Sequence, residues 1–187
     1  MRVHELSENV DVLRMDEVKL PAPGPGEVRL RLKACSVNFP DILMVQGKYQ
    51  FKPDLPFSPG MEGAGIVAEV GYGVTRLKPG DRVVAGLRVG GFAEEVNVPE
   101  LACRPIPGSM DFAAAAAYPA AYLTAYVALV CRGHLQKGET LLVHGSTGGV
   151  GLAAVEMGKL LGATVIATSA SDEKLKIVKE RGADHVI

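Results

Sequence analysis

The chain has almost no excess charge, few cysteines and no apolar leader, and each shortage narrows what it can do. Its 20 basic and 21 acidic residues leave a net charge of −1. No broad basic field is therefore present to hold nucleic acid or anionic lipid, and a small-molecule partner is expected instead. The three cysteines, Cys35, Cys103 and Cys131, are odd in number, scattered and without a paired base in sequence, so they read as small core residues rather than a disulfide framework. The amino terminus, MRVHELSENV, lacks the apolar core of a secretory signal, and a cytoplasmic location is expected. His4, His134, His144 and His185 fall at no metal-ligand spacing.

One uncharged run does have membrane length. Phe112 to Cys131, FAAAAAYPAAYLTAYVALVC, matches the roughly 20 residues a spanning helix needs. It is mostly alanine, with Pro119, Thr124 and three tyrosines, so a buried helix and no membrane span are expected.

What is present falls into two textures. Glu27 to Lys33, EVRLRLK, alternates so that Val28, Leu30 and Leu32 share one face and Arg29, Arg31 and Lys33 the other, predicting a half-buried strand. Turn clusters at PAPGPGE, GYG, KPGD and GG bracket further apolar stretches, GAGIVAEV, RVVAGL and FAEEVNV, and suggest an antiparallel barrel or sandwich. After Asp111 the chain is alanine-rich and helical. From Thr140 it reads TLLVHG (strand), GGVGLAAVEMGKLLG (helix ending at Gly162), ATVIATS (strand), SDEKLKIVKERG (helix closed by Gly182) and DHVI, the opening of a third strand. That β-α-β-α-β order predicts a parallel sheet.

Between the first of these strands and its helix lies Ser146-Thr147-Gly148-Gly149-Val150-Gly151, a G-x-G-x-x-G pattern with serine in the first glycine's place. Gly148 would let the backbone approach a pyrophosphate, Gly151 would let helix and strand pack, and the amides at the helix start would attract the anion. The same turn could also merely connect strand to helix. About 20 residues on, where NAD-preferring folds carry an acid, the chain reads ATSAS. With no carboxylate there, and with Ser169, Ala170, Ser171 and Lys174 in its place, NADPH is expected over NADH. Asp172 and Glu173 are the competing acids, in the first turn of the next helix, where acids ordinarily offset the dipole.

The residues PGPGEVRLRLKACSVNFPDILMVQGKYQFKPDLPFSPGMEGAGIVAEVGYGVTRLKPGDRV, with AAAAAYPAAYLTAY and LVHGSTGGVGLAAVEMGKLLGATVIAT, closely resemble the quinone oxidoreductase (zeta-crystallin-like) branch of the medium-chain dehydrogenase/reductase superfamily. The resemblance implies an α/β and β fold: a GroES-like, partly open barrel over residues 1–118, and the first half of a Rossmann domain over 119–187. Zinc-using members hold a metal with a cysteine and a histidine at positions that here are Asn38 and Met61. Neither an amide nor a thioether suits zinc, and the four-cysteine structural lobe is missing, so a zinc-free protein is expected.

Hydride delivery from NADPH to an electron-poor acceptor, a quinone or an activated alkene, is the chemistry this implies. By resemblance, Asn38, Phe39 and Asp41 line the cleft near the nicotinamide; Asn38 and Asp41 could equally be helix caps. Tyr49 matches a tyrosine at the substrate mouth, able to donate to a carbonyl oxygen gaining charge, or it is a solvent-facing loop residue. Thr124 matches a threonine at the nicotinamide end, or it bonds a backbone carbonyl. Glu62 reads as structural. The alternatives are an enoyl or alkenal reductase of the same superfamily, or a protein that binds NADPH without turnover. A complete doubly wound domain needs a second half, so the chain is expected to be a cut-short form of a longer protein, and the resemblance implies a homodimer.

Overall fold

The computed structural model describes residues 1–187 and divides into two compact units, Met1–Pro119 and Ala120–Ile187. The first contains β1 (Arg2–Val3), β2 (Leu13–Arg14), β3 (Glu27–Cys35), α1 (Phe39–Val45), β4 (Glu62–Val70), β5 (Arg82–Gly86), β6 (Glu95–Pro99), β7 (Cys103–Pro105) and α2 (Phe112–Ala116). β1 and β2 pair as a small antiparallel ribbon, while a five-stranded antiparallel sheet runs in the order β6-β3-β4-β5-β7.

The alternation of β3 works as read: Val28 and Leu30 are wholly buried and join Val67, Val83, Ala85 and Val98 in the main core of this unit. Its pairing with β4 nevertheless slips twice, between Arg29 and Leu30 and between Leu32 and Ala34. These irregularities re-aim the strand, and nothing in an unbroken alternation foretells them. β6 is shorter than FAEEVNV implies and begins at Glu95. After β6, Glu100 turns its buried carboxylate onto the loop before β5, accepting N–H bonds from Thr75 and Leu77 (both 3.1 Å) and from Arg76.

The second unit contains α3 (Thr124–Tyr126), β8 (Thr140–Val143), α4 (Gly149–Leu160), β9 (Thr164–Ala167), α5 (Asp172–Glu180) and β10 (His185–Val186). The strands form a parallel sheet in the order β10-β9-β8, with Thr140 level with Thr164 and His185 with Ile166. Its core is Val143, Val155, Val165, Ala167 and Val178 with Ala163 and Ala183, the short apolar runs and helix faces that the sequence marks. Gly162 and Gly182 take φ of +83° and +110°, the left-handed stop expected just past a helix. Lys159 ties α4 to the start of β10 through both oxygens of Asp184 (2.8 and 2.7 Å), and Asp184 also accepts the Val165 N–H at 2.7 Å.

The alanine-rich stretch departs from expectation. Its helical turns widen to π-helical geometry over Pro119–Leu123 and Val127–Arg132, and only 17% of its most apolar window is buried. Ala115, Ala116 and Ala125 are covered, whereas Tyr118, Leu123, Tyr126 and Val127 are exposed. The expectation of a buried helix is thus corrected: a few methyl-sized side chains are covered, Ala115 and Ala116 against Ala64 and Val84, and the larger ones are not. Phe112–Arg132 is long and apolar enough to cross a membrane by length and composition.

Candidate functional site

The glycine turn shows how a short segment assigns different tasks to neighbouring residues. Immediately after β8, Gly145 takes φ +63°, which a side chain would disfavour. Ser146 is then wholly buried, its Oγ and its N–H both donating to the Thr168 carbonyl (3.0 and 3.1 Å). Ser146, expected with the rest of the turn to hold the cofactor, fastens that turn to the end of β9 through its side chain. A Cβ at Gly151 would lie 2.4 Å from the Gly145 oxygen and 2.7 Å from the Ser146 Cα, so only glycine lets helix and turn approach this closely.

Gly148 is different. Its φ is −83°, and the nearest atom to an added Cβ is 3.8 Å away, so nothing in the fold demands glycine there. The amides of Gly149, Val150 and Gly151 make no hydrogen bond, while the next, Leu152, is satisfied by the Gly148 carbonyl at 2.8 Å. Three unpartnered donors at the positive end of a 12-residue helix, beside a position open enough for close backbone approach, fit an anionic pyrophosphate. Thr147 and Ser169 meet through their hydroxyls at 3.5 Å, bringing the ends of β8 and β9 together at this turn. Lys174 is exposed, and Ser171 caps α5 by accepting the Lys174 N–H. Ala170 adds no charge beside them. Thr124 is exposed in α3.

In the first unit the predicted polar residues do come together, but mostly for each other. Asn38 precedes α1, and its amide nitrogen donates to Glu62 Oε1 (2.8 Å) and to Ser36 Oγ (2.9 Å); the Ser36 hydroxyl in turn donates to the same Glu62 oxygen. Glu62 is 1% exposed, so this triangle seats a buried carboxylate with named donors, as burial requires. Asp41, 2% exposed, accepts from the Asn38 N–H at 2.8 Å and the Gly60 N–H at 3.0 Å. It thereby caps α1 and anchors the loop before β4. Burial pushes the Asp41 carboxyl above its ordinary 3.8; the two N–H bonds oppose the rise and the neighbouring Glu62 charge adds to it.

Phe39 is 70% exposed. Tyr49 is partly buried and packs on the cluster of Val3, Met44, Val45 and Phe57, as do Phe51 and Met61. Of the cysteines, only Cys103 is a core residue, its thiol pushed up to about 11 by burial; Cys35 and Cys131 are exposed. No group of three or more histidine, cysteine, aspartate or glutamate side chains could hold a metal.

Sequence reasoning overlooked Gly145 and Ser36. Gly145 is legible afterwards as the first glycine following a strand; the bond of Ser36 to Glu62 carries no signal, because the two lie 26 residues apart.

The profile of the alcohol dehydrogenase GroES-like domain matches residues 24–108, and that of the zinc-binding dehydrogenase matches 149–187. The human synaptic vesicle membrane protein VAT-1 homolog is 46% identical over 179 residues, covering 92% of this chain and 46% of that protein. A quinone oxidoreductase-like protein 2 homolog from Nematostella vectensis is 47% identical, covering 88% and 45%. Among solved structures, the Escherichia coli quinone oxidoreductase complexed with NADPH superimposes with a TM-score of 0.92 at 34% identity, over 100% of this chain and 57% of that one. An NAD-dependent alcohol dehydrogenase gives 0.93 at 35%, over 100% and 63%. The chain spans about half the length of the curated relatives it matches.

Proposed function

Because the chain belongs to the medium-chain dehydrogenase/reductase superfamily, we propose that it serves a zinc-independent oxidoreductase that passes a hydride from NADPH to a quinone or similarly electron-poor acceptor. The observation that carries this reading is the glycine turn: three free amides at the start of α4 beside an open Gly148. Those amides would hold the pyrophosphate. Ser169 and Lys174, with uncharged Ala170 between them, would donate to a 2′-phosphate that a carboxylate would repel.

When bound, the nicotinamide supplies the hydride, and the protein's part is alignment. Thr124 and the exposed ring of Phe39 are its contacts in this reading. Asn38 would line the reacting side, held in place by Glu62 and Ser36, and Asp41 acts through Asn38 and Gly60 as a positioning residue. The Tyr49 phenol would donate a hydrogen bond to the acceptor oxygen as negative charge develops there. Independence from zinc rests on the donors themselves: Asn38 turns its amide N–H groups to Ser36 and Glu62, and Met61 packs on an apolar cluster. A cytoplasmic homodimer without a membrane span completes the proposal.

Fluorescence titration of the purified chain with NADPH and with NADH tests the cofactor. Saturable binding that favours NADPH is expected; equal binding, or none, overturns the assignment. Cofactor oxidation with a small quinone, set against an α,β-unsaturated thioester, then tests the acceptor, and turnover of the thioester alone would replace the quinone reading by a C=C reductase.

A further inference from the structure

Beside Met61 a recess of about 240 Å³ opens between Tyr49, Gln50, Phe51, Leu87 and Arg88. Its walls are mostly apolar and aromatic, with the Gln50 amide and one cation, Arg88, as the polar exceptions. The Arg88 guanidinium lies 5.3 Å from the centre of the Phe51 ring, close enough for a cation–π contact. Arg88 meets no carboxylate, so its charge is open to a ligand. A guanidinium presents a planar fork of N–H donors that matches a group with two coplanar acceptor oxygens.

We infer that this recess binds a single-ring planar acceptor carrying an anionic substituent, a carboxylate or sulfonate, with the ring against Met61, Phe51 and Tyr49 and the anion on Arg88. The size supports one ring and argues against an extended isoprenoid tail, since sites for drug-sized ligands run to roughly 300–1,000 Å³. The ring would stand beside Tyr49, whose phenol could reach a carbonyl on it. That the bound ring is the acceptor rests on the reductase reading above; the preference for an anionic ring does not.

The test therefore uses ligands that cannot be reduced and needs no cofactor. Calorimetric or NMR titration of the whole chain with 4-hydroxybenzoate and with its neutral isostere 4-hydroxybenzamide reads the recess directly. The carboxylate is expected to bind about tenfold more tightly, the size of one charge-assisted contact. Arg88→Gln should erase the difference and Arg88→Lys should retain part of it; both substitutions are at an exposed position, so folding is unaffected. Equal affinity for the two ligands, no binding of either, or a preference that survives Arg88→Gln overturns the proposal. A benzoate preference without any NADPH-dependent turnover would leave the recess established and sink only the reductase reading.

Discussion

The two units meet the demands of a binding site in opposite ways. In Met1–Pro119 the polar residues are side chains drawn into the interior and bonded to one another: Ser36, Asn38 and Glu62 close a triangle, and Asp41 takes two backbone amides. In Ala120–Ile187 the working groups are backbone amides at 149–151 left without partners, while the one buried side chain of the turn, Ser146, only fastens it. The first arrangement gives rigidity, because its groups are already satisfied. The second leaves donors open to an anion, because its groups are not. Altering the first should therefore cost stability before binding, and altering the second can do either, depending on which glycine is touched.

Gly151→Val should have the largest effect. Its Cβ would sit against the backbone of Gly145 and Ser146, so a loss of ~3 kcal/mol or more is expected, read by urea denaturation, with cofactor binding lost as a consequence. Glu62→Leu comes next: it strips the Ser36 hydroxyl and the Asn38 amide of their acceptor, costing ~1–3 kcal/mol, with NADPH affinity changed less than stability. Gly148→Ala then isolates binding from folding. The melting temperature should stay put, since a Cβ there meets open space, while the NADPH dissociation constant rises about tenfold, equivalent to ~1.4 kcal/mol. A drop in melting temperature for Gly148→Ala would erase the distinction between the two glycines.

The smallest expected effect is also the one that separates the units by sign. Asp41, raised by burial, contributes stability that is fully present below its ordinary 3.8 and is lost as pH rises through its higher folded value. Asp184, lowered by its hydrogen bond from Lys159, contributes stability present above 3.8 and lost as pH falls through its lower folded value. Acidification should thus first firm the first unit and later loosen the second. Hydrogen exchange at Val28–Leu30 and Val165–Ala167 across acid pH measures each separately. Asp41→Asn should flatten the upper window and Asp184→Asn the lower one.

Local patterns were readable in the sequence, and distant pairings were not. The period of β3, the β-α-β-α-β order and the helix-stopping glycines depend on neighbours within a few residues, and the chain folds as they indicate. Gly151 was legible for the same reason, since its constraint arises within one turn. The triangle around Glu62 joins residues 24 to 26 apart, and the burial of Ser146 depends on Thr168, 22 residues on; no spacing rule reaches these. The exposed face at Tyr118, Leu123 and Tyr126 was missed because apolar composition says how much surface a helix offers and not how much of it finds a neighbour.

The carboxylate of Glu100 holds the loop before β5 through backbone amides alone. The side chains of Thr75 and Arg76 take no part in that grip and lie exposed. Those two positions should accept almost any substitution except proline, which would remove the N–H that is gripped. The local conformation is written some 25 residues away, so freedom to vary and importance to the fold lie on different stretches of the chain.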